Sequence, residues 1–455
     1  MEKYLLNTRS EFETHLKELV EMPTVSAEPE RAGDIRRCAE YAARMLGAGG
    51  FKSGVFETAG NPIVIGQYIH DERAQTVMIY NHLDVQPADK EKEGWRTDPF
   101  TFTKIGDKYF GRGTTDDKGP ALAAFLAAHY AVWKKLPINF FIVWELEEES
   151  GSTNFHELFG DRYPFLCRPD PDVVIVSDGL WRDREHPAIE YGLRGNLCFS
   201  LALQTADHDT HSGCTGGFAR NPIVELCALI SRMVNAVTGD IKIPGIYRKV
   251  CGVNLEELEN LSRGFDQEVF KKAWGLHTTR KMTNEEAVVS LKLLPTFEVV
   301  NISGGYEGPG FKTIVPHRTE AKISMRLVPD QNPEQVLEAV KKFVARMNPD
   351  VEVRALRGTA KPYASDYKNP YFQMLQQIVG EVTGKECALD RSGGSIGAVG
   401  TMAEYLKAPI VLFGLSLPEH GYHAPNEYFE WSQAEAGIRI FAEYFEEISK
   451  LKSPV

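Results

Sequence analysis

The residues of this chain that could carry out chemistry are acidic residues and histidines placed just after strongly apolar segments. His82 follows a β-branched and aromatic run that ends at Tyr80, and Asp178 follows a similar run that ends at Val176. The full candidate set comprises His82, Asp84, Asp116, Asp117, Glu147, Glu148, Glu149, Asp178 and His423. Imidazole nitrogens and carboxylate oxygens suit zinc, manganese and cobalt, whereas an iron–sulfur cluster needs thiolates. These residue types therefore predict a metal centre.

The number of candidate ligands exceeds what one metal ion requires. A four-coordinate ion would leave several carboxylates unused. A pair of ions about 3.5–4 Å apart would use both histidines and several carboxylates together. One carboxylate would then bridge the pair, and each ion would also take one histidine and one acidic residue. An additional glutamate would remain free to act as general base on the water that the metals activate.

Each of these motifs has a simpler explanation when it is taken alone. The His-x-Asp string at 82–84 is typical of a surface loop or a hydrogen-bonded pair, and the acidic run at 145–149 is typical of a solvated surface. Asp116 and Asp117 lie in a glycine-flanked segment and could form only a turn or a helix cap. The order of the motifs and their position after apolar strands favour the metal-centre interpretation.

Apolar patterning predicts the elements that must hold these residues in place. Short β-branched and aromatic runs indicate buried strands, and apolar residues three or four positions apart indicate helices. The predicted strands cover 76–80, 138–144, 172–177 and 409–413, and the predicted helices cover 11–22, 32–46, 121–133, 370–382 and 432–448. Strands that alternate with helices imply an α/β fold with a sheet covered on both faces. Ligands collect at the carboxyl ends of the strands in such sheets, so the candidate residues would share one rim.

Residues 194–364 have a different pattern, which predicts a second and smaller α+β unit. Strands are predicted at 197–203, 319–327 and 351–356, and helices at 222–237 and 333–347. The segment 319–327 alternates apolar and polar residues, as a half-exposed strand does. We therefore predict a discontinuous first domain, residues 1–193 and 365–455, interrupted by an inserted domain of residues 194–364.

Composition limits the classes of protein to which the chain could belong. The 455 residues are 43% hydrophobic and 25% charged, as in ordinary globular proteins. The formal net charge of −12 argues against a nucleic acid as partner, because phosphate binding needs a basic surface. No apolar run approaches the roughly 20 residues of a membrane helix, and the N-terminus is too acidic for a secretory signal. We therefore expect a cytoplasmic protein without membrane or nucleic-acid partners.

The cysteines are consistent with the same compartment. There are seven, at Cys38, Cys167, Cys198, Cys214, Cys227, Cys251 and Cys387. They are scattered and odd in number, and they form no C-x-x-C motif, which predicts reduced and buried thiols.

A series of short motifs resembles one family of enzymes. In chain order they read HLDVQP from His82, GRGTTDDKGP from Gly111, EESGS from Glu148, SD from Ser177, HSG from His211, KT from Lys312, RLVP from Arg326, GGSI from Gly393 and HAPNE from His423. The chain resembles the dinuclear zinc or manganese metallopeptidases that include carnosinase and the cytosolic non-specific dipeptidases. Wider relatives are glutamate carboxypeptidase, succinyl-diaminopimelate desuccinylase, acetylornithine deacetylase and aminoacylase. The resemblance implies a mixed sheet covered by helices in a zinc-peptidase-like catalytic domain, with the inserted domain as a lid and dimerisation domain.

The resemblance also implies a set of metal ligands. Two divalent metal ions would be bound, with zinc favoured and manganese or cobalt as alternatives. One ion would be held by His82 and Asp178, the other by Glu149 and His423, and Asp116 would bridge them.

Two further acidic residues acquire roles from the same resemblance. Asp84 would orient His82 by fixing its tautomer. Glu148 would act as the general base, taking a proton from the water and returning it to the leaving amine. The peptide bond between Asp116 and Asp117 would be cis.

A substrate site is implied as well. His211 would polarise the scissile carbonyl, often from the partner subunit of a homodimer, and Arg326 would clamp the terminal carboxylate of the substrate. Thr313, Gly394 and Ser395 would line the pocket. Without the resemblance, His211 would be interpreted as a loop histidine and Arg326 as a surface arginine.

Two departures from the family pattern concern the amino end of the substrate. Carnosinases commonly have an acidic residue before the GGSI string, where this chain has Ser392. Proline frequently follows that string, where this chain has Gly397. These changes leave the metal ligands intact and affect only the group that would meet a free amino terminus.

We therefore predict a metal-dependent hydrolase that cleaves the peptide bond of dipeptides or similar small substrates with a free carboxylate, with Glu148 as general base. One alternative is an N-acyl amino acid deacylase or desuccinylase with the same site, which Ser392 would permit. A second alternative is a non-catalytic metal-binding homologue, which the intact ligand set disfavours. The predicted partners are a small peptide or N-acyl amino acid and a second copy of the chain, bound through the inserted domain.

Overall fold

The computed structural model describes residues 1–160, 170–250, 252 and 254–451, and the chain divides into two compact units. The first unit comprises Met1–Gly192, Ala364–Ser392 and Ile396–Val455, and the second comprises Leu193–Tyr363 and Gly393–Ser395. The lid and dimerisation roles of the inserted segment stay predictions.

A mixed sheet of nine strands forms the framework of the first unit. From one edge its order is Lys52–Phe56, Ile63–Tyr68, Ile138–Glu145, Gln75–His82, Val173–Val176, Ile410–Leu412, Ala188–Leu193 and Tyr363–Ala364, with Ala388–Ser392 also paired to Ala188–Leu193. The four strands from Ile138–Glu145 to Ile410–Leu412 in this order are parallel to one another. The strands that flank these four pair with them in antiparallel fashion. The predicted α/β fold with a mixed sheet is confirmed.

Helices and a small sheet complete the first unit. The longer helices are Glu2–Val20, Ala32–Ala48, Gly119–Trp133, Pro370–Thr383, Gly397–Tyr405 and Trp431–Ile448, with one short helix at Lys90–Glu93. Helical turns lie at Pro29–Arg31, Thr114–Lys118, Glu148–Ser150, Phe155–Phe159 and Pro418–His420. A three-stranded sheet joins Thr103–Ile105, Lys108–Phe110 and Tyr428–Glu430. Helix Gly119–Trp133 is built largely from small apolar residues and is buried over most of its surface, as its sequence predicts.

The first helix is longer than its apolar pattern indicated. It spans Glu2–Val20 rather than starting at residue 11. Leu5 and Thr8 are buried together with Phe12, so the buried face continues by helical spacing toward the N-terminus. Because Thr8 is polar, it interrupts the apolar pattern, and the sequence did not indicate the first two turns of the helix. At the other end the helix stops three residues before Pro23, which cannot continue a helix.

The second unit is built on an antiparallel sheet of four strands. Their order is Thr296–Gly304, Arg318–Leu327, Gly195–Gln204 and Glu352–Ala355. Alternate side chains of Arg318–Leu327 are buried, as predicted for this segment. The sheet and the helices Pro222–Met233 and Pro333–Met347 contribute to one apolar core. The remaining elements are the paired strands Thr210–His211 and Ile314–Val315, the helices Ser212–Thr215, Leu255–Ser262, Gln267–Ala273 and Asn284–Val288, and the helical turns Ile246–Lys249 and Val289–Leu293.

Helix Pro222–Met233 ends four residues before its predicted boundary at residue 237. Val234 takes an extended conformation and forms a β-bridge with Ile241, because the chain turns back at this point. The apolar residue Val234 thus continues the hydrophobic pattern of the helix without continuing its backbone.

The prediction of buried thiols is correct for only part of the cysteines. Cys38 and Cys387 are buried, and all five described cysteines are free. Cys214 and Cys227 are exposed, so the prediction is wrong for these two. Cys227 lies on the solvent side of helix Pro222–Met233, whose buried residues are Pro222, Leu226, Leu229, Ile230 and Met233. Cys167 and Cys251 lie outside the described residues.

Among the described residues, no helix combines the length and the apolar character that a membrane span requires.

Candidate metal centre

The carboxyl ends of the parallel strands carry most of the predicted ligands. His82 is the last residue of Gln75–His82, and Asp178 follows Val173–Val176 by two positions. Glu148 and Glu149 lie in the turn after the strand Ile138–Glu145. These ends remain in register beyond the strands, because the Leu83 amide donates to the Glu145 carbonyl at 2.8 Å. The common rim therefore follows from the parallel arrangement of the strands.

Asp116 lies between the two histidines. Its Oδ1 is 3.0 Å from His82 Nε2, and its Oδ2 is 3.0 Å from His423 Nε2. Glu149 Oε2 is 3.2 Å from the same nitrogen of His423, and Asp178 Oδ2 is 3.9 Å from His82 Nε2. The five predicted ligands thus form two groups that share Asp116. The Asp116–Asp117 peptide bond is cis, which confirms that prediction.

The distances in these groups are those expected of atoms that converge on metal ions. Ligand atoms about 2.0–2.1 Å from a tetrahedral zinc ion lie roughly 3.3 Å from each other. The Oδ2 atom of Asp116 is buried and forms no hydrogen bond, although His423 Nε2 is 3.0 Å away. His82, Asp116 and Glu149 offer three ligand atoms that all lie within 4.8 Å of one another. The donor set of imidazole and carboxylate groups fits a divalent cation.

Opposite charges are concentrated at this centre. Burial by itself would raise the pKa of Asp116, but the imidazoles of His423 and His82 outweigh burial and hold that pKa below its usual range. Asp116 and Glu149 in turn raise the pKa of His423 to about 11. The carboxylates that raise the pKa of His423 are the same groups whose charge a divalent cation would neutralise. His82 and His423 would hold a metal ion only as neutral rings, so the affinity for metal would depend on pH.

Burial has a further effect on the acidic residues of the rim. It raises the pKa of Asp178 to about 6, although the charge of His82 opposes the change. It also raises the pKa of Glu148 well above its usual value, against the charge of His82 and with the charges of Glu149 and Asp178. A rim with so many closely spaced carboxyl groups is stable only when cations or protons compensate their charge.

Asp84 lies beneath the centre and is completely buried. Its carboxylate accepts the backbone amides of Glu148 at 3.1 Å and Glu149 at 3.0 Å. The Nδ1 atom of His82 is 3.0 Å from the backbone oxygen of Asp84 and 3.5 Å from its carboxylate. Asp84 therefore connects the histidine to the turn that carries both glutamates, and the contact with this turn was not predicted from the sequence.

Three more residues contact the candidate ligands or their segments, and the sequence did not predict a role for them. Gln86 donates to Glu149 Oε2 at 2.7 Å, and the Tyr422 hydroxyl donates to Asp178 Oδ1 at 2.8 Å. Glu427 accepts hydrogen bonds from the segment that carries Asp116. All three belong to or adjoin the quoted motifs, so proximity in the sequence to a predicted ligand was the available signal.

The other predicted site residues belong to the second unit. His211 pairs with Ile314 in a two-stranded ladder, which places it next to Thr313, whose carbonyl accepts the Ser212 amide. The exposed ring of His211 accepts a hydrogen bond from the Gly213 amide at 3.0 Å. Nε2 of this ring has no hydrogen-bond partner among the described residues.

Arg326 and Ser395 form a second group. Arg326 Nη1 donates to Ser395 Oγ at 2.8 Å, and that hydroxyl donates to the Arg194 carbonyl. Arg194 Nε in turn donates to the carbonyl of Gly393, so Gly394 lies in a segment held at both ends. Burial lowers the pKa of Arg326, and none of the ion pairs between described residues involves it.

Comparison with known proteins decides the family. A family model described as Peptidase family M20/M25/M40 matches residues 78–447. This chain belongs to that family. The match includes both units, which agrees with the resemblance seen in the motifs.

Individual members of the peptidase family are similar over most of the chain. The human Beta-Ala-His dipeptidase is 32% identical over 399 residues, which cover 86% of this chain and 78% of that protein. A Cys-Gly metallodipeptidase of Schizosaccharomyces pombe is 30% identical and covers 97% of this chain and 96% of its own length. Among solved structures, a metallo-carboxypeptidase of this family from Sulfolobus solfataricus superimposes with a TM-score of 0.88 at 29% identity, covering 96% of this chain and 98% of that one.

These findings confirm the predicted family and the predicted enzyme class. The protein is a metal-dependent hydrolase that acts on peptide bonds.

Proposed function

We propose that this peptidase cleaves dipeptides that carry a free carboxylate, using two divalent metal ions, with zinc favoured over manganese or cobalt. The observation that carries the proposal is the position of Asp116, which directs one oxygen to His82 and the other to His423. A carboxylate between two imidazole groups is suited to bridge two cations. The dipeptidases among the relatives support the size of the substrate.

The chain's own groups divide the work of hydrolysis. When bound, a pair of divalent cations lowers the pKa of water and polarises a carbonyl oxygen. Glu148 takes the proton from that water and returns it to the leaving amine, and its position depends on the turn that Asp84 holds. His211 stabilises the oxyanion, with Nε2 as donor because Nδ1 accepts from Gly213.

Arg326 binds the carboxylate of the substrate in this proposal. Its guanidinium is half-buried and bonded to the Ser395 hydroxyl, which restricts its orientation. A planar guanidinium can bind a carboxylate through two parallel hydrogen bonds. Thr313 and Gly394 line the same pocket.

The amino end of the substrate distinguishes the two candidate activities. Ser392 stands where carnosinases commonly have an acidic residue, so the chain also suits an N-acyl amino acid, whose nitrogen carries no charge. The test is to compare a free dipeptide with the N-acetyl amino acid that shares its carboxyl-terminal residue, after reconstitution with zinc or manganese. Faster hydrolysis of the dipeptide supports the dipeptidase, and faster hydrolysis of the acetylated compound would assign the protein to the deacylases. Hydrolysis of neither compound would reject both candidate substrate classes.

We also propose that the protein is a cytoplasmic homodimer that associates through the second unit, which acts as a lid. Strand Thr296–Gly304 supports this proposal, because it is an edge strand whose last seven residues are exposed. Val299, Val300 and Ile302 are among them. An exposed edge with apolar side chains is a ready site for pairing with another strand.

A further inference from the structure

Glu427 is completely buried, and every described donor to its carboxylate comes from one short loop. Oε2 accepts from Arg112 Nη1 at 3.0 Å and from the Gly113 amide at 2.9 Å. Oε1 accepts from the Thr115 amide at 2.9 Å and from the Asp116 amide at 3.2 Å. One carboxylate thus satisfies four donors between residues 112 and 116.

The loop needs such an acceptor because its backbone is irregular. Asp116 has φ −128 and ψ 85, outside the helical range, and Gly113 has the left-handed φ of 85. A Cβ atom at Gly113 would lie 2.5 Å from Val85 Cγ1, so the loop is packed closely as well. Buried amides without hydrogen-bond partners destabilise a fold. Glu427 therefore determines which conformation of this loop has all its amides satisfied.

Glu427 also belongs to the segment that carries His423. The two residues are four positions apart, and the Glu427 carbonyl accepts the Gly111 amide at 3.1 Å. A further hydrogen bond, from the Ser416 hydroxyl to the Thr115 carbonyl at 2.8 Å, joins the same two stretches of chain. The segment of Asp116 and the segment of His423 are thus linked through buried hydrogen bonds rather than through either side chain of the centre.

We propose that Glu427 is a positioning residue that sets the separation between Asp116 and His423 and thereby the affinity of the centre for its second cation. The proposal rests on the metal centre of the proposed function. Glu427 makes no contact with the reacting groups and acts only through the backbone of Asp116 and the loop of His423. Partners of this kind typically change metal affinity or activity by about 10- to 100-fold.

The decisive variant is Glu427→Gln. Both oxygens of Glu427 face donors, so an amide group in either orientation places an N–H against another donor. The matched control is Glu13→Gln, because Glu13 also accepts from several donors, Arg9, Lys104 and Tyr109, none of which lies on a segment with a predicted ligand. Both variants lose one charged acceptor, and only Glu427 is connected to the metal centre.

The experiment titrates wild-type protein, Glu427→Gln and Glu13→Gln with Co²⁺ and records visible absorption, bound metal per chain and circular dichroism. We expect Glu427→Gln to remain folded, to bind its second Co²⁺ about 10- to 100-fold more weakly and to show an altered Co²⁺ spectrum, and Glu13→Gln to match the wild type. A folded Glu427→Gln with wild-type affinity and spectrum would overturn the proposal.

If Glu427→Gln does not fold, Glu427→Asp carries the same test. This variant keeps the charge but is one methylene too short to reach all the donors at once. Unchanged Co²⁺ affinity and spectrum in Glu427→Asp would then overturn the proposal. Dipeptide hydrolysis by the wild type is measured separately, so its absence would reject the proposed function while the metal titration still tests Glu427.

Discussion

The carboxylate of Asp84 accepts the backbone amide of Glu148 at 3.1 Å. Because its second oxygen accepts the Glu149 amide, one buried side chain holds the whole turn that carries the proposed base and one proposed ligand. The same residue contacts the ring of His82 through its backbone oxygen. Asp84 therefore connects His82 to the turn that carries Glu148 and Glu149.

Asp84→Asn tests this coupling. The amide has one oxygen in place of two, so one of the two backbone amides loses its acceptor and the turn shifts. We expect kcat and metal affinity to fall by about 10- to 100-fold. Asp183→Asn is the control, because Asp183 accepts backbone amides of Glu185 and His186 in an exposed turn. Equal effects of the two substitutions would contradict the special role of Asp84.

Glu148→Gln separates proton transfer from metal binding. Gln keeps the shape of Glu148 but cannot accept and return a proton, so we expect turnover to fall by about 100- to 10,000-fold. Metal content, measured per chain by mass spectrometry, should stay that of the wild type. Loss of metal from the folded variant would make Glu148 a ligand and reject its role as the base.

Arg326→Ala tests recognition of the carboxylate. We expect KM for a free dipeptide to rise by about 10- to 100-fold, since a charge-assisted bidentate contact contributes about 1.5–3 kcal/mol. The KM for the corresponding dipeptide amide should change little. Arg318→Ala is the control, because Arg318 lies on the same strand and is exposed. Equal effects on the acid and the amide would exclude a carboxylate contact.

The proposed dimer depends on the edge strand Thr296–Gly304. Val300 is 67% exposed on this strand, and a lysine there would bury a charge in any pairing across the edge. We expect Val300→Lys to elute and scatter light as a monomer when the wild type is a dimer. Val269→Lys changes an equally exposed valine, at 64%, on helix Gln267–Ala273 and should leave the dimer intact. A dimeric Val300→Lys would place the interface elsewhere.

We expect the protein to lose stability in mild acid because of His420. Burial lowers the pKa of this imidazole to about 3, and its Nδ1 accepts the Leu417 amide at 3.1 Å. The pKa of a histidine in the unfolded chain is 6.5. Between pH 6.5 and about pH 3, His420 is therefore mostly protonated in the unfolded chain and mostly neutral in the folded chain. Stability due to this group is present above the unfolded pKa and falls as the pH is lowered below it.

The size of that loss follows from linkage. Between about pH 7.5 and pH 5.5 the free energy of unfolding should fall by about 1.4 kcal/mol more in the wild type than in His420→Asn. Asparagine can still accept the Leu417 amide but does not titrate. Urea denaturation at both pH values measures the difference. Parallel pH dependence in the two proteins would show that His420 contributes nothing to it.

The sequence by itself determined the strands that end at this rim and the types of the candidate ligands there. A run such as Val77 to Tyr80 is buried on every side, so its composition alone marks a strand, and the polar residue that follows must lie at its end. The same logic located Asp178. The sequence did not predict the first turns of helix Glu2–Val20 or the exposure of Cys227. Whether a residue on a helix is buried depends on which element packs against that side of the helix.

Only the tertiary structure decided how those candidate ligands are held in position. Glu427 and Gly113 are 314 positions apart, and Tyr422 and Asp178 are 244 apart, yet each pair is joined by a side chain at hydrogen-bond distance. No local pattern encodes such contacts, since they depend on which loops the folded sheet brings to one rim. The kinds of residue at the centre are therefore a property of the sequence. Their separations of about 3 Å result from buried hydrogen bonds that exist only after the chain has folded.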